Sequence, residues 1–252
     1  MTVEELTEAE KYLDDLITKC AEEHNLSNEN LFPIYDGIYD AKLYLNSPLK
    51  IMCILKEPYD DFNKDGKPIG GYWHLNKCIF KDPAKGIANN RTLKMISYIT
   101  YGILNQLLWN NMANISQNPA IADVLQEIAL INLSKMPAYS KTNNSTLKTK
   151  YSYWRSVVLK QIEIYNPDVI IFGNTYSYLQ NDFPLSKKLI SSKVWVNVFD
   201  YNGDKLLVDA YHPGNRFNAE DKEEYANGII KAVLYWVRAK TGQPLSNNRK
   251  IM

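Results

Sequence analysis

The sequence predicts a three-layer α/β domain with a mainly parallel sheet between two layers of helices. Three observations predict it. Strand-like and helix-like segments alternate along nearly all of the 252 residues. Two short runs, Ile51 to Leu55 and the one in "PDVIIFGNT", are apolar almost throughout, as strands covered on both faces are. No internal repeat or low-complexity segment interrupts the pattern. Residues 1–242 read as a single domain and 243–252 as a polar tail.

The elements follow in order. Thr2 and Glu5 stand in capping-box spacing, and Leu6, Leu13, Leu16, Ile17 and Cys20 recur with helical period, so the chain opens with an amphipathic helix. An irregular stretch rich in turn formers leads to the strand at Ile51. The segment "DDFNKDGKPIGGYWHLNKCIFKDPAKG" reads as a long polar loop with embedded aromatics, a combination that favours a functional loop. "RTLKMISYITYGILNQLL" reads as a largely buried helix, and a short helix then runs into a strand at about Ile128 to Leu133. A polar linker, "TNNSTLKTK", precedes the helix "YSYWRSVVLKQIEIYN". The strand in "PDVIIFGNT" is followed by a further helix. "KVWVNVFDYNGDKLLVDAYHP" alternates on both sides of Asn202-Gly203, a strong hairpin signal. The last helix starts at the N-cap Asn218 with Asp221 in its first turn, and Tyr225, Ile229, Val233, Trp236 and Val237 share one face.

Composition narrows the function classes. The net charge is +1, so any nucleic-acid site has to be a local basic or aromatic patch. No apolar run is long enough for a membrane span, and the acidic start "MTVEELTEAE" lacks the order of a signal peptide. Cys20, Cys53 and Cys78 are too few and too scattered for a disulfide framework, a zinc site or a four-cysteine cluster. They read as inert thiols in a reducing cytoplasm, and no metal or cofactor is expected. The phosphate-binding patterns GxGxxG after the first strand and GxxxxGK[ST] are absent.

Ligands of open parallel sheets bind beyond the carboxyl ends of the strands. Four predicted strands end there in "KEPYDD", "NLSK", "GNT" and "YHPGNR". In a parallel sheet these ends share one rim, where the carboxylate of Glu57, the amide of Asn132 and the imidazole of His212 would converge.

These residues suggest a family. "ILKEPYDD" resembles the first motif of uracil-DNA glycosylases, Gly-Gln-Asp-Pro-Tyr-His, and "AYHPGNR" resembles their His-Pro-Ser-Pro motif. "LINLSK" is similar to the family's strand that ends in a base-reading Asn, and "PDVIIFGN" to its strand that ends in a Gly-containing turn. The resemblance implies an α/β/α fold with a four-stranded parallel sheet of order 2-1-3-4, DNA as partner, and base flipping. It implies that Glu57 positions or activates the attacking water and that Tyr59 crowds the pyrimidine C5 edge. Asn132 would hydrogen-bond the base, and His212 would donate to an oxygen of the departing base. Tyr72, Trp73 or Phe80 would stack on the flipped base. Asn215, Arg216 and Phe217 would face the DNA, with Arg216 or Phe217 as the inserted wedge. Lys56, Asp60, Gly214 and Asn215 depart from the family pattern, and Glu57, Asp60 and Asp61 would repel a phosphate backbone. Two other readings stay open: a non-catalytic module binding nucleic acid or protein, and a small-molecule α/β hydrolase.

Overall fold

A computed structural model describes residues 1–79, 83–139, 141–183, 188–193 and 195–243. The helices are α1 (Val3–Glu23), α2 (Ala41–Asn46), α3 (Leu75–Ile79), α4 (Pro83–Asn89), α5 (Arg91–Asn105), α6 (Ala120–Asp123), α7 (Asn144–Tyr165), α8 (Tyr176–Leu179) and α9 (Ala219–Thr241). The strands are β1 (Gly37–Ile38), β2 (Ile51–Leu55), β3 (Asp61–Phe62), β4 (Pro68–Ile69), β5 (Ala129–Asn132), β6 (Val169–Gly173), β7 (Lys188–Ser192), β8 (Val196–Tyr201) and β9 (Lys205–Ala210).

The main sheet is mixed and has seven strands in the order β1-β5-β2-β6-β9-β8-β7. Neighbours β5, β2, β6 and β9 run parallel. The remaining pairings are antiparallel: β1 on β5 at one edge, then β8 on β9 and β7 on β8 at the other. The expected four strands are therefore too few. β1 has two residues among turn formers, too short for a periodic signal, and β7 is half-exposed without clean alternation. β8 is the first arm of the hairpin signalled by Asn202-Gly203, both of which have positive φ (58° and 76°).

Alternation along the parallel strands divides the core into two faces. Ile51, Cys53 and Leu55 of β2 pack with α5 and α9. Met52 and Ile54 pack with α1 and α7. Every β2 side chain is buried, and each large one contributes about 1.5–3 kcal/mol on burial. The sequence pattern accounts for the helices that cover these faces. α1 carries the Thr2–Glu5 capping box, and α9 is capped by Asn218, whose side chain accepts from Asp221 N. Tyr225, Ile229, Val233, Trp236 and Val237 are all buried. α7 begins earlier than expected, because Asn143 accepts from Ser145 N and turns the polar "linker" into the first helical turns. The loop after β2 also carries more structure than expected, with the β3–β4 hairpin and the starts of α3 and α4.

The two edges of the main sheet differ from its centre. β1 offers only two residues, and the register of β7 shifts between Leu189 and Ser191. Among the described residues no helix is long and apolar enough to cross a membrane.

One acid of α1 makes stability depend on pH. Glu10 accepts from the Tyr165 hydroxyl and lies one helical turn from Asp14. Burial, with a smaller contribution from the like charge of Asp14, pushes its carboxyl up to about 7. A carboxyl raised in the folded state adds stability at low pH that is lost as pH rises from about 4.5 through about 7. Glu10→Gln should remove this decline, on the order of 2 kcal/mol, from urea-unfolding free energies measured between pH 4.5 and 7.5. Asp14, raised to about 6 by burial, keeps its own smaller share.

Candidate functional site

The carboxyl ends of the four parallel strands form one polar rim. Leu55 pairs with Asn132, Ile54 with Phe172, and Gly173 with Ala210. This register puts Glu57 and His212 at the same height, two residues beyond the last paired level. β6 lies between their strands, so about two strand spacings, roughly 10 Å, separate them.

His212 follows β9, half-buried before Pro213. Its Nδ1 accepts from the Gly214 backbone N–H at 3.1 Å, which leaves the single ring proton on Nε2. Burial first, and the nearby Lys56 ammonium second, push the imidazole down to about 4. At neutral pH His212 is thus an uncharged Nε2–H donor. Gly214 approaches both His212 and Thr92 so closely that a Cβ there would collide with Thr92 Oγ1. The serine that the resembled motif carries at this place would require the Thr92 side chain to shift.

Glu57 is nearly buried and accepts from Lys150 Nζ of α7 at 2.6 Å. The Lys150 ammonium offsets part of the carboxylate's field. Lys56 reaches the other way and donates to Asn144 Oδ1 at 3.1 Å; burial lowers its pKa, and Glu57 opposes that shift. Tyr178 of α8 stands close enough to Glu57 for its hydroxyl pKa to be raised by burial and, secondarily, by that carboxylate. Beside Lys56 opens a cleft of about 770 Å³ between the N-terminal half of α7 and the β6–α8 connection. Lys148, Arg155, Asn174 and Tyr178 line it. Arg155 pairs with Asp182, whereas Lys56 and Lys148 make no ion pair among the described residues. The cleft is cationic for that reason.

Asn132 ends β5 but is buried there. It is 2% exposed, and its backbone N–H and side-chain amide both donate to Asp36 Oδ2, at 2.7 and 3.3 Å. Its carbonyl accepts from Lys135 Nζ at 2.8 Å. Lys135 is fully buried and also donates to Asp36 Oδ1 at 2.6 Å and Gln161 Oε1 at 2.8 Å. Gln161 Nε2 returns a bond to Asp36 Oδ1 at 2.9 Å. Asn132 therefore belongs to an internal network with Asp36, Lys135 and Gln161.

The aromatics divide similarly. Tyr59 is 59% exposed and Tyr72 is 75% exposed. Trp73 is half-buried and donates its indole N–H to Asp60 Oδ2 at 2.6 Å, so it serves the loop. Asp60 Oδ2 also accepts from Gly71 N at 2.8 Å. Phe80 lies outside the described residues. Asn215 and Arg216 are exposed, but Phe217 is 7% exposed and its ring packs against Trp195 and stacks on Tyr225. Insertion of Phe217 as a wedge would require unpacking its ring from the core. The three acids also weigh less than expected, because Glu57 is paired and Asp60 is engaged by two donors, leaving Asp61 exposed.

Lys150 and Asp36 are the site residues that the sequence pattern hid. Lys150 lies in the segment that reads as a linker, and Asn143 as a helix N-cap is the signal that would have placed it on α7. Asp36 lies among turn formers, with partners 96 to 125 positions away.

Fold and rim together define a mixed α/β protein with a polar, cationic cleft at the carboxyl ends of its parallel strands. No protein-family model matches the chain, and no curated protein matches it.

Proposed function

We propose that the protein hydrolyses the N-glycosidic bond of uracil, or of a related damaged base, in DNA. One observation carries the reading: His212 is a neutral Nε2–H donor, fixed by Gly214 N–H, and its backbone and that of Glu57 both lie two residues beyond the last paired level of the parallel strands. Breaking the bond between C1′ and the base nitrogen places negative charge on the base and positive charge on the sugar. A neutral Nε2–H donor opposes the first charge while keeping its single ring proton. The Glu57 carboxylate opposes the second and takes a proton from the water whose oxygen bonds to C1′. The parallel strands give further support. Numbered along the chain among themselves, β5-β2-β6-β9 run second, first, third, fourth, the order that the resemblance implies.

The Glu57–Lys150 pair and the enclosure of Asn132 favour a second reading, a nucleic-acid-binding module without base release. An abasic-site cleavage gel on uracil-containing oligonucleotides separates the two. Strand cleavage after alkali treatment is expected for the hydrolase. Binding with no abasic sites at micromolar protein would leave the module.

A further inference from the structure

The loop that displays Tyr72 is built in an unusual way. Gly70, Gly71 and Tyr72 have successive positive φ values of 94°, 92° and 64°. A Cβ at Gly71 would collide with the Phe32 carbonyl, so glycine is required there. Tyrosine is disfavoured at positive φ, and such strain persists only where the surroundings impose it. Here they do: Gly70 N donates to Asn30 O at 2.8 Å, Tyr72 N to Pro33 O at 2.8 Å, and Gly71 N to Asp60. All of this holds a ring that remains 75% exposed, with edge contacts to Phe32 and Tyr35 at centroid distances of 5.8 and 6.4 Å. Core packing does not explain an exposed aromatic held by a strained backbone.

Tyr72 is not alone. Asp60 ties Tyr59 to the same loop, and Pro58 O accepts from Ala138 N at 2.9 Å, which brings Tyr139 alongside. Tyr139 is 55% exposed and contacts the ring of Phe62 at 6.1 Å. Hydrogen bonds thus tie the segments that carry Tyr59, Tyr72 and Tyr139 to one another, and Lys56, which lines the cationic cleft, stands three residues before Tyr59. Bases stack on such rings whatever their sequence, while a basic groove follows the phosphates. Opening a duplex demands something else, namely an apolar wedge to hold the stack apart. In the segment from His212 to Asn218 the aromatic candidate, Phe217, is locked in the core.

We propose that this rim takes single-stranded DNA, with bases stacked on Tyr59 and Tyr72 and phosphates drawn to Lys56 and Lys148. The proposal rests on the reading of the rim as a DNA site and adds the strand state of the substrate. A strand already unpaired needs no wedge and incurs no unpairing cost.

Fluorescence anisotropy with a fluorescein-labelled oligothymidylate of about 12 nucleotides, which contains no uracil, tests it without requiring base release. The single strand should bind at least about tenfold more tightly than a duplex of equal length, with affinity falling as salt rises. Tyr72→Asn, which suits the positive φ and removes the ring, and Tyr59→Ala should each weaken binding roughly five- to hundredfold. Tyr72→Phe should retain it, as should Tyr235→Ala, which removes an exposed ring on α9. Equal affinity for duplex and single strand, absence of binding, or indifference to both tyrosine changes would overturn the proposal. Single-strand binding without abasic sites in the gel would sink the hydrolase and leave this inference standing. Abasic sites formed with no single-strand preference would do the reverse.

Discussion

Replacing Lys135 with methionine is expected to destabilise the protein by about 3–5 kcal/mol, measured by urea unfolding at neutral pH. The ammonium and the Asp36 carboxylate are both fully buried and 2.6 Å apart. Removing one leaves the other as an uncompensated charge in the interior. Burial alone pushes the Lys135 ammonium toward its neutral form, and Asp36 pulls it back. Asp36 also accepts from the Asn132 backbone and from Gln161, so its loss would leave those donors unmatched. Asp36→Asn combined with Lys135→Met keeps an acceptor in place and removes both charges. The double change should therefore cost less than the sum of the single ones. A Lys135→Met variant within 1 kcal/mol of the parent would show that the charge pair is not what holds this network together.

The second large effect concerns chemistry. His212→Ala should lower base release by about 10²- to 10³-fold, the usual loss when one fixed donor to a developing oxyanion is removed. The parent rate should also fall as pH drops through about 4, where the imidazole gains a second proton and Nδ1 can no longer accept from Gly214. Stability carries the same signature. A histidine depressed in the folded state binds fewer protons than in the unfolded chain between about 4 and 6.5, so its contribution is lost as pH falls through that window. Glu10 slopes the other way over nearly the same range. In Glu10→Gln the histidine slope should stand clearer, and in His212→Ala only the acidic slope should remain. Wild-type rates unaffected by His212→Ala would remove the hydrolase reading at its centre.

How much of this was legible follows the range of each interaction. The caps Thr2–Glu5 and Asn218, the strands at Ile51 and Val169, and the Asn202-Gly203 turn are local, and local chemistry marks them. The rim positions of Glu57 and His212 were legible because parallel strands carry their ends to one side. The burial of Asn132 was not legible, because a residue at a strand end can face out or be claimed from behind, and Asp36, 96 positions earlier, claims it. The packing of Phe217 was hidden in the same way. Its neighbours Trp195 and Tyr225 meet it only in three dimensions. Lys135 is the extreme case, since lysine at the end of an apolar run reads as solvent-exposed until its long-range partners are known.

The ends of the main sheet have a consequence for the protein in concentrated solution. A flat, open border of unpaired N–H and C=O groups lets one sheet continue into the next copy, and ribbons grow from such borders. Here neither border offers that template. One is two residues long, enough for a bridge but not a ladder. The other opens with Lys188 and loses register between Leu189 and Ser191, so an incoming strand in step at one end would fall out of step at the other. The apolar parallel strands at the centre, which would be aggregation-prone if uncovered, are kept from other copies by their least regular neighbours.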